Sequence, residues 1–218
     1  MKLFLDSAEV DDIRYFNDMG MVDGVTTNPS LVAASGRDFR EVLKDLCIFI
    51  RGPVSAEVTA VETEQMLAEA ISLAEVADNI AIKVPLTPAG LQTCHKLSSQ
   101  GIKVNVTLCF SVAQAMLAAK AGAAFVSPFV GRLDDIGHDG MQLIADIAEV
   151  FDNYPEVRTE ILSASIRHPM HAVESARLGA HILTVPPKVM HQMFKHPLTD
   201  IGIEKFLADW QKTEQKIV

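Results

Sequence analysis

Residues 79–108 read NIAIKVPLTPAGLQTCHKLSSQGIKVNVTL, and this stretch decides the fold. Its two ends are short apolar runs, Ile80 to Val84 and Val104 to Leu108, with the length and β-branched content of buried strands. Between them Thr87 stands where a helix N-cap belongs, ahead of a helical segment. A strand, a helix and another strand in succession describe a parallel crossover unit. Inside the first strand sits Lys83, a residue type that is seldom fully buried.

Working outward, the same unit recurs along the chain. Apolar runs occur at KLFLD (2–6), VDGVTT (22–27), PVSAEV (53–58), NIAIKV (79–84), KVNVTL (103–108), AAFVSPF (123–129), EILSAS (160–165) and HILTV (181–185). Amphipathic segments separate them. In TEQMLAEAISLAEVA (63–77), Met66, Ala70, Leu73 and Ala77 share one helical face, and SVAQAMLAAKAG (111–122) ends on Gly122 as a C-terminal cap. Ser7 and Ser111 also stand at N-cap positions. Eight strand–helix units are the number that closes a (β/α)8 TIM barrel, so the fold class is α/β with an additional C-terminal helix. A doubly wound open sheet is the alternative, but it usually has fewer strands, and no G-x-G-x-x-G turn follows the first strand. No linker or low-complexity segment interrupts residues 1–218, which read as one domain. The tail, 200–218, reads as a further helix with Ile203, Phe206, Leu207 and Trp210 on one face. That face either folds back on its own barrel or docks on a neighbouring subunit.

A chain of 218 residues can bury roughly 70% of its unfolded surface. With 49% hydrophobic and 22% charged residues it has no disordered tract of consequence. A net charge of −9, with basic residues scattered, argues against nucleic acid, while an anionic small molecule needs only a few local donors. Cys47, Cys94 and Cys109 read as reduced core thiols. Asp6 cuts the first apolar run short of a signal peptide, and no apolar window is long enough to span a membrane, so the expected location is the cytoplasm.

In a parallel barrel the C-terminal strand ends share one face, where active sites are built. Polar residues at or just beyond those ends are Asp6, Thr26 with Asn28, Glu57 with Thr59, Lys83, Asn105 with Thr107, Ser127 with Arg132, Ser163 with Ser165 and Arg167, and Thr184. Taken singly they say little: Asp6 alone reads equally well as a helix cap, and Thr107 as a space-filling strand residue. Lys83 says most. An apolar setting favours the neutral amine and lowers its pKa, which would make it a nucleophile for Schiff-base chemistry. The bland reading is a lysine paired with Glu57 or Asp6, although a buried pair is rarely a net gain over packed apolar residues.

With IKVP (82–85), LFLDSA (3–8), GVTTNPSL (24–31), SAEV (55–58), VNVTLCFS (104–111), SPFVGR (127–132) and SASIR (163–167) in this order, the sequence resembles the transaldolase family, in its short single-barrel form. The resemblance implies a cofactor-free, metal-free mechanism that moves a dihydroxyacetone unit between sugar phosphates. By it, Lys83 forms the Schiff base, Asp6 exchanges the proton of the C4 hydroxyl, and Glu57 with Thr107 positions a water. Thr26, Asn28 and Ser127 would hold sugar hydroxyls, Arg132, Arg167 and Ser165 the phosphate, and Phe129 would wall the pocket. Fructose-6-phosphate aldolases of the same superfamily typically carry glutamine and tyrosine where this chain has Glu57 and Phe129, which points to the transferase. The resemblance also implies a homo-oligomer, a pentamer or decamer. A phosphosugar-binding barrel without turnover is the reading of a different class, and it leaves a buried amine without a use.

Among the remaining histidines, His168 and His171 share HPMH, three apart, but no carboxylate at ligand spacing follows, so the pair reads as a solvated helix start. His138 and Asp139 lie in a glycine-flanked loop, IGHDG, that reads either as a flexible surface loop or as a cover over the pocket mouth. His95, His181, His191 and His196 read as surface or inter-helix residues.

Overall fold

The computed structural model describes residues 1–217. Eight parallel strands, β1 (Lys2–Asp6), β2 (Gly24–Thr26), β3 (Val54–Glu57), β4 (Ile80–Pro85), β5 (Val104–Cys109), β6 (Phe125–Pro128), β7 (Glu160–Ser163) and β8 (Ile182–Val185), pair in chain order. The barrel closes where β1 meets β8, with Leu3 opposite Leu183 and Leu5 opposite Val185. Helices α1 (Val10–Asp18), α2 (Pro29–Ser35), α3 (Phe39–Phe49), α4 (Thr63–Ala74), α5 (Pro88–Ser98), α6 (Val112–Lys120), α7 (Val130–Asp134), α8 (Gly140–Asp152), α9 (Pro169–Arg177), α10 (Pro187–Met193) and α11 (Pro197–Gln211) complete it. No helix among the described residues is long and apolar enough to cross a membrane.

Strand side chains alternate between two cores, which is why the runs look almost continuously apolar. Leu5, Val25, Ile82, Val84, Val104, Val106, Ile161 and Val185 point outward into a layer shared with the helices. Each such side chain, fully withdrawn from water, contributes about 1.5–3 kcal/mol, so this layer dominates the stability. Phe4, Ala81, Phe125, Leu162 and Ile182 point inward and plug the barrel, the Phe4 and Phe125 rings meeting edge to face at 6.1 Å. A Cβ on Gly24 would lie 2.6 Å from the Phe4 ring and 2.7 Å from the Pro53 carbonyl, so only glycine lets that ring fill the bore.

Helix starts follow local chemistry. The Asn28, Thr87 and Ser111 side chains accept from the N–H of Leu31, Gly90 and Gln114, and a proline opens each of α2, α5, α9, α10 and α11. Ser7 departs from expectation: α1 starts at Val10 behind Glu9, and Ser7 Oγ instead accepts from the Glu9 N–H. Gly122 lies two residues past the end of α6 at φ +88°, where glycine is favoured. The three thiols are free, and burial pushes Cys94 up to about 12 and Cys47 and Cys109 up to about 11.

The tail helix begins earlier than expected and has no buried residue. Ile203, Phe206, Leu207 and Trp210 are 52%, 73%, 57% and 41% exposed, so the folding-back alternative does not hold. The apolar face of α11 thus stays unpartnered within the chain.

Candidate active site

The strand ends enclose a cavity of about 220 Å³. Asp6, Thr26, Asn28, Lys83, Thr107, Ser127, Phe129, Arg132, Ser165 and Arg167 all line it, joined by Leu162, Ala164, Ile166, Thr184 and Pro186. Four of the strand-end candidates, Glu57, Thr59, Asn105 and Ser163, do not line it. Ser163 points outward, its hydroxyl 2.8 Å from Ser175 on α9, and Thr59 is tied to Glu69 of α4.

Lys83 comes from the middle of β4 and is 5% exposed. The β3–β4 register sets Glu57 beside it, and Lys83 Nζ lies 2.9 Å from Glu57 Oε2 while donating to the Thr27 carbonyl at 3.1 Å. The wholly apolar setting expected for the amine is therefore corrected: its head meets a carboxylate and a carbonyl, while Ile82 and Val84 face the helices. Glu57 does not line the cavity and reaches the site through the lysine.

Opposite, Thr26 Oγ1 donates to Asp6 Oδ1 at 2.7 Å and lies 2.6 Å from Thr184 Oγ1. Thr26 has one hydroxyl hydrogen, so Thr184 must donate to it, and the two threonines fix the orientation of the carboxylate. Burial pushes the Asp6 carboxyl above its usual range and Glu57 adds to this, against the opposing pull of Lys83 and the Thr26 bond. Deeper in the bore Ser127 Oγ donates to Asn105 Oδ1 at 2.7 Å, and Asn105 Nδ2 donates to Ser55 Oγ at 3.3 Å. Ser127 thus presents lone pairs to the cavity. Asn28, whose carbonyl oxygen caps α2, presents its amide hydrogens.

Two backbone irregularities shape the upper rim, and neither residue type announces them. Leu108 has φ +60°, and the β5–β6 register shifts between Val106 and Cys109. Thr107 faces the cavity by the strand's regular alternation with Asn105, and the bulge turns Cys109, which would otherwise follow it inward, into the outer core. Thr107 Oγ1 is buried without a hydrogen-bond partner among the described residues. Ser165 has φ +61° just after an isolated bridge between Ala164 and Phe129. Left-handed backbone at a non-glycine residue costs about 1–3 kcal/mol, and here it turns the chain so that Ser165 and Arg167 both look inward. Arg167 Nη2 pairs with Asp135 at 2.7 Å, and its Nε donates to Ser165 Oγ at 3.4 Å. The Arg132 guanidinium sits 4.9 Å over the Phe129 ring.

Among the histidines one expectation changes. His171 is buried rather than solvated, with Nε2 2.8 Å from Asp134. His138 and Asp139 do not line the cavity, and Asp139 caps α8. No cluster of three or more potential metal ligands occurs among the described residues.

An amine, two carboxylates and two guanidinium groups gathered at the C-terminal mouth of a closed (β/α)8 barrel define a barrel enzyme built around a lysine. The family model for transaldolase/fructose-6-phosphate aldolase matches residues 3–217, and the chain belongs to this family. It is 60% identical to a probable transaldolase of Rhodospirillum centenum, over all of this chain and 94% of that protein. Probable transaldolases of Brucella anthropi and Caldicellulosiruptor saccharolyticus are 59% and 56% identical; the matches span 100% and 99% of this chain and the whole of each relative. Among solved structures, a thiamine phosphate pyrophosphorylase from Pyrococcus furiosus superposes with a TM-score of 0.60 over 88% of this chain and 93% of that one. At 13% identity that likeness speaks for the barrel alone.

Proposed function

We propose that the protein transfers a dihydroxyacetone unit from a ketose phosphate to an aldose phosphate through a Schiff base on Lys83. One observation carries the reading: Lys83 Nζ, buried at the base of the cavity, is held 2.9 Å from Glu57 in a chain 60% identical to a probable transaldolase. A buried ion pair is seldom worth more than packed apolar residues, so its presence at the cavity base favours a chemical use.

The steps assign each group a task. Lys83 Nζ, once its proton passes to Glu57, adds to the C2 carbonyl of the donor. Water then leaves the carbinolamine, assisted by Glu57 and the unpartnered Thr107 hydroxyl. Asp6 takes the proton from the C4 hydroxyl, the C3–C4 bond breaks, and its electron pair neutralises the iminium as an enamine. The aldose product departs, and an acceptor aldehyde reverses these steps. A raised Asp6 carboxyl suits this exchange, because a base nearer in pKa to the working pH both takes and returns a proton readily. Asn28 and Ser127 hold the sugar hydroxyls, with Thr26 beside them chiefly orienting Asp6. Arg132 and Arg167 bind the terminal phosphate with Ser165, and Phe129 forms the wall without a hydroxyl to assist release of the three-carbon unit. We extend the reading to a cytoplasmic homo-oligomer, pentameric or decameric, in which α11 covers a neighbour.

Borohydride reduction in the presence of fructose 6-phosphate should fix a covalent adduct on Lys83. Transfer to erythrose 4-phosphate should exceed release of free dihydroxyacetone. Lys83→Ala should abolish turnover while leaving phosphate affinity in place, and Lys83→Arg should be equally inactive because a guanidinium stays charged. Equal rates of release and transfer would make the protein an aldolase, and a chain left unmodified by borohydride would make it a binder.

A further inference from the structure

We propose that His171 is a positioning residue that sets the two arginines of the phosphate site. It ties the end of the helix that carries Arg132 to the turn that carries Arg167. The inference rests on the reading of those arginines given above.

The site's two guanidiniums come from separate elements, α7 and the turn between β7 and α9, and a phosphate needs both at a fixed separation. The backbones of these elements are in direct contact. Val130 N–H donates to the Ala164 carbonyl and Gly131 N–H to the Ser165 carbonyl, each at 3.1 Å. Those bonds hold the start of α7. Its far end, Asp134, is held by His171, whose Nε2 lies 2.8 Å from Asp134 Oδ2, while Asp134 Oδ1 accepts from the Gly140 N–H at 2.9 Å.

The other ring nitrogen completes the tie. Arg167 N–H donates to His171 Nδ1 at 3.2 Å, so Nδ1 carries no hydrogen and the single ring hydrogen must sit on Nε2, aimed at Asp134. One imidazole therefore reads the position of both elements, and its tautomer is fixed by the very residue it orients. Burial, with the tilted His168 ring centred 3.7 Å away, pushes His171 below its ordinary pKa against the pull of Asp134, which keeps the neutral ring in use. His171 is 6% exposed and does not line the cavity, so it acts through its neighbours.

The test uses the full chain with His171→Asn, His171→Gln and Asp134→Asn. Asparagine keeps an acceptor where Nδ1 stood, glutamine keeps a donor near the place of Nε2, and Asp134→Asn keeps one acceptor for two donors, so its amide hydrogens meet either the Nε2 hydrogen or the Gly140 N–H. Each change should raise KM for the ketose phosphate, and weaken calorimetric binding of inorganic phosphate, by about tenfold, the worth of one buried hydrogen bond. The kcat should stay within about threefold of the parent, as expected for uniform binding lost. Borohydride capture of unphosphorylated dihydroxyacetone on Lys83 should be unchanged. KM and phosphate affinity at the parent's values would overturn the inference. So would a joint fall of KM performance, kcat and dihydroxyacetone capture, which marks general loss of structure. Inorganic phosphate binding needs no turnover, so a parent protein that binds phosphate without transferring would refute the transfer reading and still decide this one.

Discussion

Asp6 shows how a single residue can be held against its own stability. Burial and the nearby Glu57 raise its carboxyl, so over the interval between its usual and its raised pKa the folded chain binds a proton that the unfolded chain has lost. Stability from this group is complete below the unfolded value and declines as pH rises through the folded one. Asp6→Asn keeps an oxygen to accept from Thr26 and removes the buried charge. The variant should melt higher than the parent at pH 7, by about 2–4 °C for each kcal/mol recovered, with the gap narrowing as pH falls into the carboxylate range. Transfer should drop by about 10²- to 10⁴-fold while borohydride still captures dihydroxyacetone on Lys83. A variant no more stable at pH 7 would show that the Asp6 carboxyl is not strained, and one that transfers normally would show that it is not the base.

At the scale of elements, the close contact between α7 and the turn after β7 is the most exacting piece of construction at the site. A Cβ on Gly131 would come 2.2 Å from the Ser165 carbonyl and 2.7 Å from Arg167 Cγ. Gly131→Ala should push α7 away from that turn, raise KM for phosphorylated donors by at least about tenfold, and lower the melting midpoint, since overpacking typically costs 1–3 kcal/mol. Unchanged KM in circular-dichroism-matched protein would mean that the two elements move independently of the phosphate. This contact also marks the limit of what the chain discloses when read as letters. The inward set Asp6, Thr26, Lys83, Thr107 and Ser127 is legible because strands alternate with period two and a closed parallel barrel has one functional end. The bulge at Leu108 and the left-handed Ser165 are not legible, because nothing in a leucine or a serine advertises positive φ, and tertiary contacts impose it. Ser163 illustrates the consequence: it lies two residues before Ser165 yet faces α9, because the turn reverses the alternation between them. His171 was hidden for a related reason, since its partners lie on α7 and in its own preceding turn, and helix-start histidines usually face water.

At the scale of the whole molecule, α11 is the element whose sequence and surroundings disagree. Phe206, Leu207, Ile203 and Trp210 stay in contact with water on a helix without a single buried residue, and such a patch on a stable protein marks an interface. A matching surface exists on the same chain: a largely apolar groove of about 390 Å³ between α9 and α10, bounded by Met1, Ala172, Val173, Ala176, Leu183 and Met193 with Arg177 at its edge. A helix on one copy and a groove on the next form a heterologous contact, which closes into a ring when the rotation between copies permits it. The parent should therefore sediment as a closed oligomer. Burying a charge opposite apolar residues costs several kcal/mol, so Phe206→Asp or Val173→Asp should each shift the assembly to smaller species. Because the cavity of each barrel is lined by residues 6 to 186, the dissociated forms should still yield the Lys83 adduct under borohydride. A parent that sediments as a monomer would refute the interface, and an unchanged mass for Val173→Asp alone would place the helix on some surface other than this groove.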